Sequence, residues 1–339
     1  MNRLSRYILL LGFLIGAPAY LHAQAAGTIA RLGFGGRGLA MGNSQLADVS
    51  GYASAWYNPA LAAFTQRQYA SLTMALLNQD RRLEFVRYAM PLRPRAGVTV
   101  GVIHRGISGI DGRDASGFHT RFLRTREFAG FLAFGIRVSS RLTGGVALRF
   151  YYNSLHPDLS AARTLGLSVG GVYRVSSRFT LGVAIDDLLA KYVWDGLGGG
   201  SGQTSDAFPV RVRMGASYVL AGGSGRINAE YELRIRTADV RTYSVYMLGS
   251  FPVNAVSISR LRLLTQRIAW GAEYWVGSSF FVRGGIDHIG EQTLEGVVPS
   301  LGFGVEKATG DIRLRASASV LRESYGNGWA QILSVSFFL

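Results

Sequence analysis

The residues best placed for chemistry are charged, and they recur at every second position. From Arg226 to Arg236 the even positions carry Arg226, Asn228, Glu230, Glu232, Arg234 and Arg236, while Ile227, Ala229, Tyr231, Leu233 and Ile235 lie between them. Arg211 and Arg213 alternate with Val210, Val212 and Met214, and Arg313 and Arg315 alternate with Ile312, Leu314 and Ala316. Asp186 and Glu273 stand on comparable polar faces. Confined charges are costly unless paired, so such faces suit internal ion pairs. The functional alternative is a filter for anionic solutes.

Other chemistries find less support. Gly33-Phe34-Gly35-Gly36-Arg37-Gly38 has the spacing of a dinucleotide-binding turn. That fingerprint needs a preceding strand, a following helix and an acid about 20 residues on, yet no acid occurs between Asp48 and Asp80. Close packing of a turn accounts better for these glycines. His104, His119, His156 and His288 are scattered and never at metal-ligand spacing. Cysteine is absent, which removes thiolate sites, disulfides and a Cys nucleophile. No catalytic set, cofactor or metal is therefore expected. Trp56, Tyr57, Tyr151, Tyr152, Trp270, Tyr274, Trp275 and Trp329 read most simply as interfacial or packing aromatics. Trp194 differs: it belongs to the run Lys191, Tyr192, Val193, Trp194, Asp195, just before Gly198-Gly199-Gly200-Ser201-Gly202. An exposed aromatic beside a flexible loop suits contact with another protein.

The elements that position these faces must be strands, since alternation with period two puts one set of side chains on each face. Alternation alone also fits a soluble sandwich. The runs, however, extend over about 9 to 14 residues, whereas soluble strands average about 5 to 6 and a barrel strand crosses a bilayer in about 9 to 11. Fourteen strands are predicted, near 69–77, 81–91, 96–107, 120–138, 142–155, 164–176, 178–189, 209–220, 226–236, 267–277, 280–288, 299–308, 311–322 and 327–339. Short links at 139–141, 176–178, 221–225, 277–279 and 308–311 alternate with long ones at 108–119, 156–163, 188–208, 237–266 and 288–298. That asymmetry is expected of an outer-membrane barrel with short periplasmic turns. A hairpin within 237–266 would bring the count to sixteen, but Arg260 and Arg262 interrupt its apolar face and place it outside the bilayer.

Composition agrees. Only 17% of the 339 residues are charged, against roughly 25% in soluble domains. Arg3 and Arg6 precede an apolar run from Tyr7 to Ala17, with small residues at Ala23 and Ala25, the plan of a signal peptide over 1–25 that is removed on export. The formal charge is +15, and of 36 basic residues only Lys191 and Lys307 are lysines. An exported protein rarely meets nucleic acid, so these arginines suit a polar lumen or the phosphates of outer-membrane lipopolysaccharide. The division expected is a signal peptide at 1–25, an N-terminal hatch at 26–68 and a transmembrane antiparallel β-barrel at 69–339 in the bacterial outer membrane.

The 26–68 segment also carries a resemblance. Gly38-Leu39-Ala40-Met41-Gly42, Ala47-Asp48 and Ala53-Ser54-Ala55-Trp56-Tyr57-Asn58-Pro59-Ala60-Leu61-Ala62 resemble the N-terminal signature of the PorV/PorQ family, within the wider FadL-like outer-membrane channels. Gly271-Ala272-Glu273-Tyr274-Trp275 with Phe281-Val282-Arg283-Gly284-Gly285 resembles that family's paired late strands, and Lys191-Tyr192-Val193-Trp194-Asp195 one of its loops. The resemblance implies a 14-stranded barrel in which Asn58, Pro59 and Ala60 form a hatch motif. It implies partners among type IX secretion components, or exported proteins with C-terminal sorting domains. For FadL-like members it implies instead a channel for hydrophobic small molecules.

Overall fold

A computed structural model describes residues 26–156, 159–195, 203–248, 251–291, 296–323 and 328–339. The expected signal peptide and the glycine run at 198–202 lie outside the described residues.

Fourteen antiparallel strands close into one barrel. They are β1 (Tyr69–Leu76), β2 (Arg81–Leu92), β3 (Ala96–Arg113), β4 (His119–Arg137), β5 (Leu142–Ser154), β6 (Ala162–Arg174), β7 (Phe179–Leu188), β10 (Val210–Val219), β11 (Gly225–Leu248), β12 (Phe251–Val276), β13 (Phe280–Ile289), β14 (Val298–Thr309), β15 (Ile312–Arg322) and β16 (Trp329–Phe338). A separate two-stranded sheet, β8 (Lys191–Asp195) with β9 (Gln203–Ala207), interrupts the connection between β7 and β10. β1 pairs with β16, from Tyr69↔Phe338 to Leu76↔Gln331, so no edge is left open.

Alternation decides which side chains meet lipid. Along β10, Met214 and Tyr218 are exposed while Arg211, Arg213 and Ser217 are buried. Leu132, Phe134 and Ile136 of β4 and Leu72, Met74 and Leu76 of β1 continue the same outward apolar surface. A charge at mid-bilayer on that surface would cost about 2–4 kcal/mol. This register therefore keeps the arginines inside.

Two connections differ from the sequence reading. Segment 237–266 is not a hairpin set apart from the wall: the β11–β12 ladder runs unbroken from Gly225↔Tyr274 to Leu248↔Phe251, so it prolongs two strands and the count stays at fourteen. Beyond the bilayer both faces of a ladder meet water, and Arg260 and Arg262 no longer carry a penalty. Likewise β3 continues to Arg113 within a stretch read as loop.

Residues 26–68 pack within the wall as two short helices, α1 (Thr28–Arg31) and α2 (Gly35–Ala40), and a 3-10 helix (Pro59–Phe64). The 3-10 helix lies against β2 to β6, and α2 against β1 and β13 to β16. Phe34 and Trp56 meet the wall residues Phe85 and Phe131, with Phe34–Phe131 centroids 5.2 Å apart and Trp56–Phe131 5.4 Å apart, both edge to face. Gly145 and Gly170 of the wall let this backbone approach closely. A Cβ at Gly145 would overlap the Ala60 nitrogen, and one at Gly170 the Asn58 side chain.

Candidate functional site

Two β-bulges interrupt the alternation beside interior acids, and one of them turns Asp187 inward next to Asp186. Val169 pairs with Ile185 but Leu167 pairs with Leu188, so Asp186 and Asp187 together oppose Ser168. Asp187 takes a left-handed conformation, φ 60°, and both carboxylates turn inward. In β13, Trp270 pairs with Ile286 and Ile268 with Ile289, which leaves Asp287 and His288 opposite Ala269. His288 has φ 59°. The sequence signal for both is a slip of one in the apolar alternation, as in Ile185-Asp186-Asp187-Leu188.

Around these bulges the lumen charges form a connected network. Arg149 Nη2 lies 2.8 Å from Asp186 and Nη1 3.3 Å from Asp187. Arg211 donates to Asp187 at 2.9 Å, and Arg213 to Asp186 at 2.7 Å and Glu230 at 3.2 Å. Glu232 accepts from Arg267 at 3.1 Å and pairs with Arg234, which also reaches Glu291; Arg267 pairs with Asp287. In a separate cluster, Arg315 donates to Glu306 at 2.8 Å, and Arg313 lies 3.2 Å from the same carboxylate. Of the charges expected in the lumen, Arg211, Arg213, Glu230, Glu232, Arg234 and Arg315 are fully buried there, while Arg236 and Arg313 are half-buried. Nothing in the sequence singles out Asp187, Asp287, Arg149 and Arg267 for this network, nor Arg37 and Arg283, which gather on Glu273, the latter at 2.6 Å.

The same charges seat the inner segment. Arg149 donates to the Trp56 carbonyl at 2.7 Å, and Arg213 to the Tyr57 carbonyl. Arg37 Nη2 lies 2.9 Å from Glu273 and Nη1 2.6 Å from Asp48. Asn58 is in extended geometry before Pro59 and accepts from the Ala60 N–H at 3.1 Å, capping the 3-10 helix. Its amide donates to the Leu46 carbonyl at 2.9 Å and the Gly171 carbonyl at 3.1 Å. Asn58, Pro59 and Ala60 thus sit at a turn pressed on the wall.

Above this seat, at the end bearing the long connections, lies a cavity of about 140 Å³. Its apolar lining comes from Leu32, Leu39, Ala75, Leu83, Leu321 and Ala330. Arg31, Arg81, Arg105, Arg234, Glu291 and Glu323 stand around it. Arg81 pairs with Glu323, and Arg105 lies 3.7 Å from Glu127. Arg31 Nε is buried with no hydrogen-bond partner among the described residues.

The Lys191 to Asp195 stretch does not present an exposed aromatic. Tyr192 is buried and Trp194 is only 8% exposed. Tyr192 meets Phe208 at 4.8 Å, and Phe208 meets Tyr151 of the wall at the same distance. Pairing of β8 with β9 alternates these side chains, so Tyr192 and Trp194 turn inward together while Lys191 stays exposed. Burial holds the Tyr192 hydroxyl above its ordinary range. Burial also raises the Asp206 carboxyl, against the opposing pull of Arg236.

No family model and no curated protein matches the chain. Among solved structures it is similar to the Pseudomonas putida toluene transporter TodX at 12% identity, with TM-score 0.59, covering 90% of this chain and 97% of that one. The monoaromatic hydrocarbon channel CymD gives 14% identity and TM-score 0.59 over the same shares. A Pseudomonas aeruginosa FadL homologue gives 13% identity and TM-score 0.55, again covering 90% and 97%. With the apolar outer surface, this fold makes the protein a bacterial outer-membrane β-barrel of FadL-like architecture.

Proposed function

We propose that the protein is a channel for hydrophobic small molecules. The observation that carries this reading is the outer cavity, whose exposed lining is mostly apolar and whose charged groups are largely paired among themselves, as Arg81 is with Glu323 and Arg234 with Glu291. The lumen below it is charged and filled by the inner segment, which does not suit an open pore for polar solutes. TodX and CymD, whose architecture this chain shares, are named for toluene and monoaromatic hydrocarbons, and that similarity supports the same broad class here. Arg31 offers a donor to an acidic or polar end of the molecule.

Uptake of radiolabelled toluene and of a long-chain fatty acid by cells displaying the barrel tests this. Ala330 lines the cavity and is fully buried, so Ala330→Trp should fill it. Uptake should fall at least about tenfold, the equivalent of ~1.4 kcal/mol. Arg31→Gln should depress fatty-acid uptake more than toluene uptake. Equal uptake by cells with and without the barrel would defeat the proposal.

A second reading, an accessory barrel of a type IX secretion system, is favoured by the residues of the inner segment that resemble the PorV/PorQ signature. It expects secretion components or exported proteins with sorting domains to co-purify with the detergent-solubilised barrel. Their absence from the eluate would count against it.

A further inference from the structure

On β2 to β6 the outward apolar run of each strand stops at one level of the ladder. Register aligns Glu84, His104, Phe128, Tyr152 and Arg163 across the five strands. Below them the same face carries Val86, Val102, Phe150 and Leu165, all exposed. Within the aligned row His104 stacks on Phe128 at 4.6 Å, Phe128 meets Tyr152 at 6.0 Å, and the Arg163 guanidinium lies 5.6 Å from the Tyr152 ring. Amphipathic rings at the end of an apolar belt mark the membrane interface.

The next level outward is cationic. Arg82, Gly106 and Arg126 align there, and Arg124 follows Arg126 on the same face of β4. Gly106 leaves the space between the two arginines without a side chain, a gap of roughly 10 Å by two interstrand spacings. Arg82, Arg124, Arg126 and Arg163 are exposed, and among the described residues Arg82, Arg124 and Arg126 have no carboxylate partner. Among the described residues two acids share this face: Glu84 lies 3.1 Å from His104, and Asp111, paired with Phe122, is held by Arg113 at 2.8 Å and by His119.

We infer that this face binds the phosphorylated headgroup of an outer-leaflet glycolipid, with Arg82 and Arg126 flanking a phosphate over Gly106. The arginine fork suits phosphate oxygens. The apolar strip beneath takes the acyl chains, and the ring row takes the sugar. Charge and depth together select the occupant, because a soluble anion would use the arginines without the strip. The site lies on the lipid side of the wall and does not depend on what the lumen transports.

Native mass spectrometry of the detergent-solubilised full barrel tests it, with diphosphorylated lipid A and its dephosphorylated form as probes. The diphosphorylated lipid should be retained at least about tenfold better, because only its phosphates engage the arginines. The triple variant Arg82→Ala, Arg124→Ala, Arg126→Ala should lose that preference. A control removing Arg93, Arg95 and Arg178 from the short-turn end should keep it, with heat-modifiable gel mobility reporting folding of each. If the triple variant does not fold, Arg126→Ala alone is read in the same way. Equal retention of the two lipids, or an unchanged preference in the variant, overturns the assignment. Displacement of the lipid by millimolar inorganic phosphate would also overturn it, showing a free-anion site instead.

Discussion

One amide nitrogen on Asn58 faces three carbonyl oxygens, those of Leu46, Gly171 and Val183, at 2.9, 3.1 and 3.4 Å. It has two hydrogens, so the longest contact is the weakest. The same side chain caps the 3-10 helix through its oxygen. Asn58→Ala removes the cap and leaves buried carbonyls unpaired, a loss of roughly 2–4 kcal/mol. Urea titration of the barrel in lipid vesicles should show a lower midpoint. Asn58→Asp should be worse than its size suggests, because a carboxylate would then face carbonyl oxygens. At the other end of the network, Asp187→Asn tolerates the left-handed backbone but removes the charge facing Arg211. Arg211 retains Asp186 at 3.9 Å and Glu232 at 3.7 Å, so the loss should lie near the low end for a broken buried pair, about 3 kcal/mol.

At the scale of elements, β8 and β9 join as a small sheet that turns aromatic side chains inward over the inner segment, where Phe208 meets Gly27. Asp206 sits on β9 with its carboxyl raised by burial. A raised carboxyl favours folding while protonated, below the unfolded value of about 3.9, and that contribution is lost as pH rises through the folded value. Asp206→Asn keeps a neutral side chain at every pH. Hydrogen exchange of the β8 and β9 amides, compared between the two proteins at each pH, should show greater protection in the variant at neutral pH. The difference should vanish in acid. Protection equal at both pH values would show that the carboxyl is not strained by its surroundings.

The whole molecule is a wall and an inner segment held together by charge, and transport past that segment requires either a route beside it or its displacement. The absence of cysteine permits a clean test. A Cβ built on Gly36 lies 3.1 Å from the Ser334 Cβ, close to the ~3.5–4.5 Å of a disulfide. In the variant Gly36→Cys with Ser334→Cys, oxidation should tie α2 to β16. Hydrocarbon uptake should fall on oxidation and return on reduction if the segment must move. Unchanged uptake in the fully oxidised protein would mean that solutes pass beside a fixed segment.

Strand number and face were legible in the sequence because a pleated strand alternates its side chains and lipid tolerates no charge on one of the two faces. Hence Arg211, Arg213, Glu230 and Glu232 could be assigned to the interior from their apolar neighbours alone. Trp194 reads as exposed from the sequence, since nothing local shows that β8 pairs with β9 and turns its ring inward beside Tyr192. The bulges at Asp186-Asp187 and Asp287-His288 leave only a slip of one in the apolar alternation: one inserted residue changes the face of everything beyond it, and pairing with a distant strand is what shows where the insertion falls. Arg37, Arg149 and Asp48 acquired their roles the same way. An ion pair joins residues far apart in the chain, as Arg37 does with Glu273, so it is the closure of the barrel around the inner segment that selects the partners.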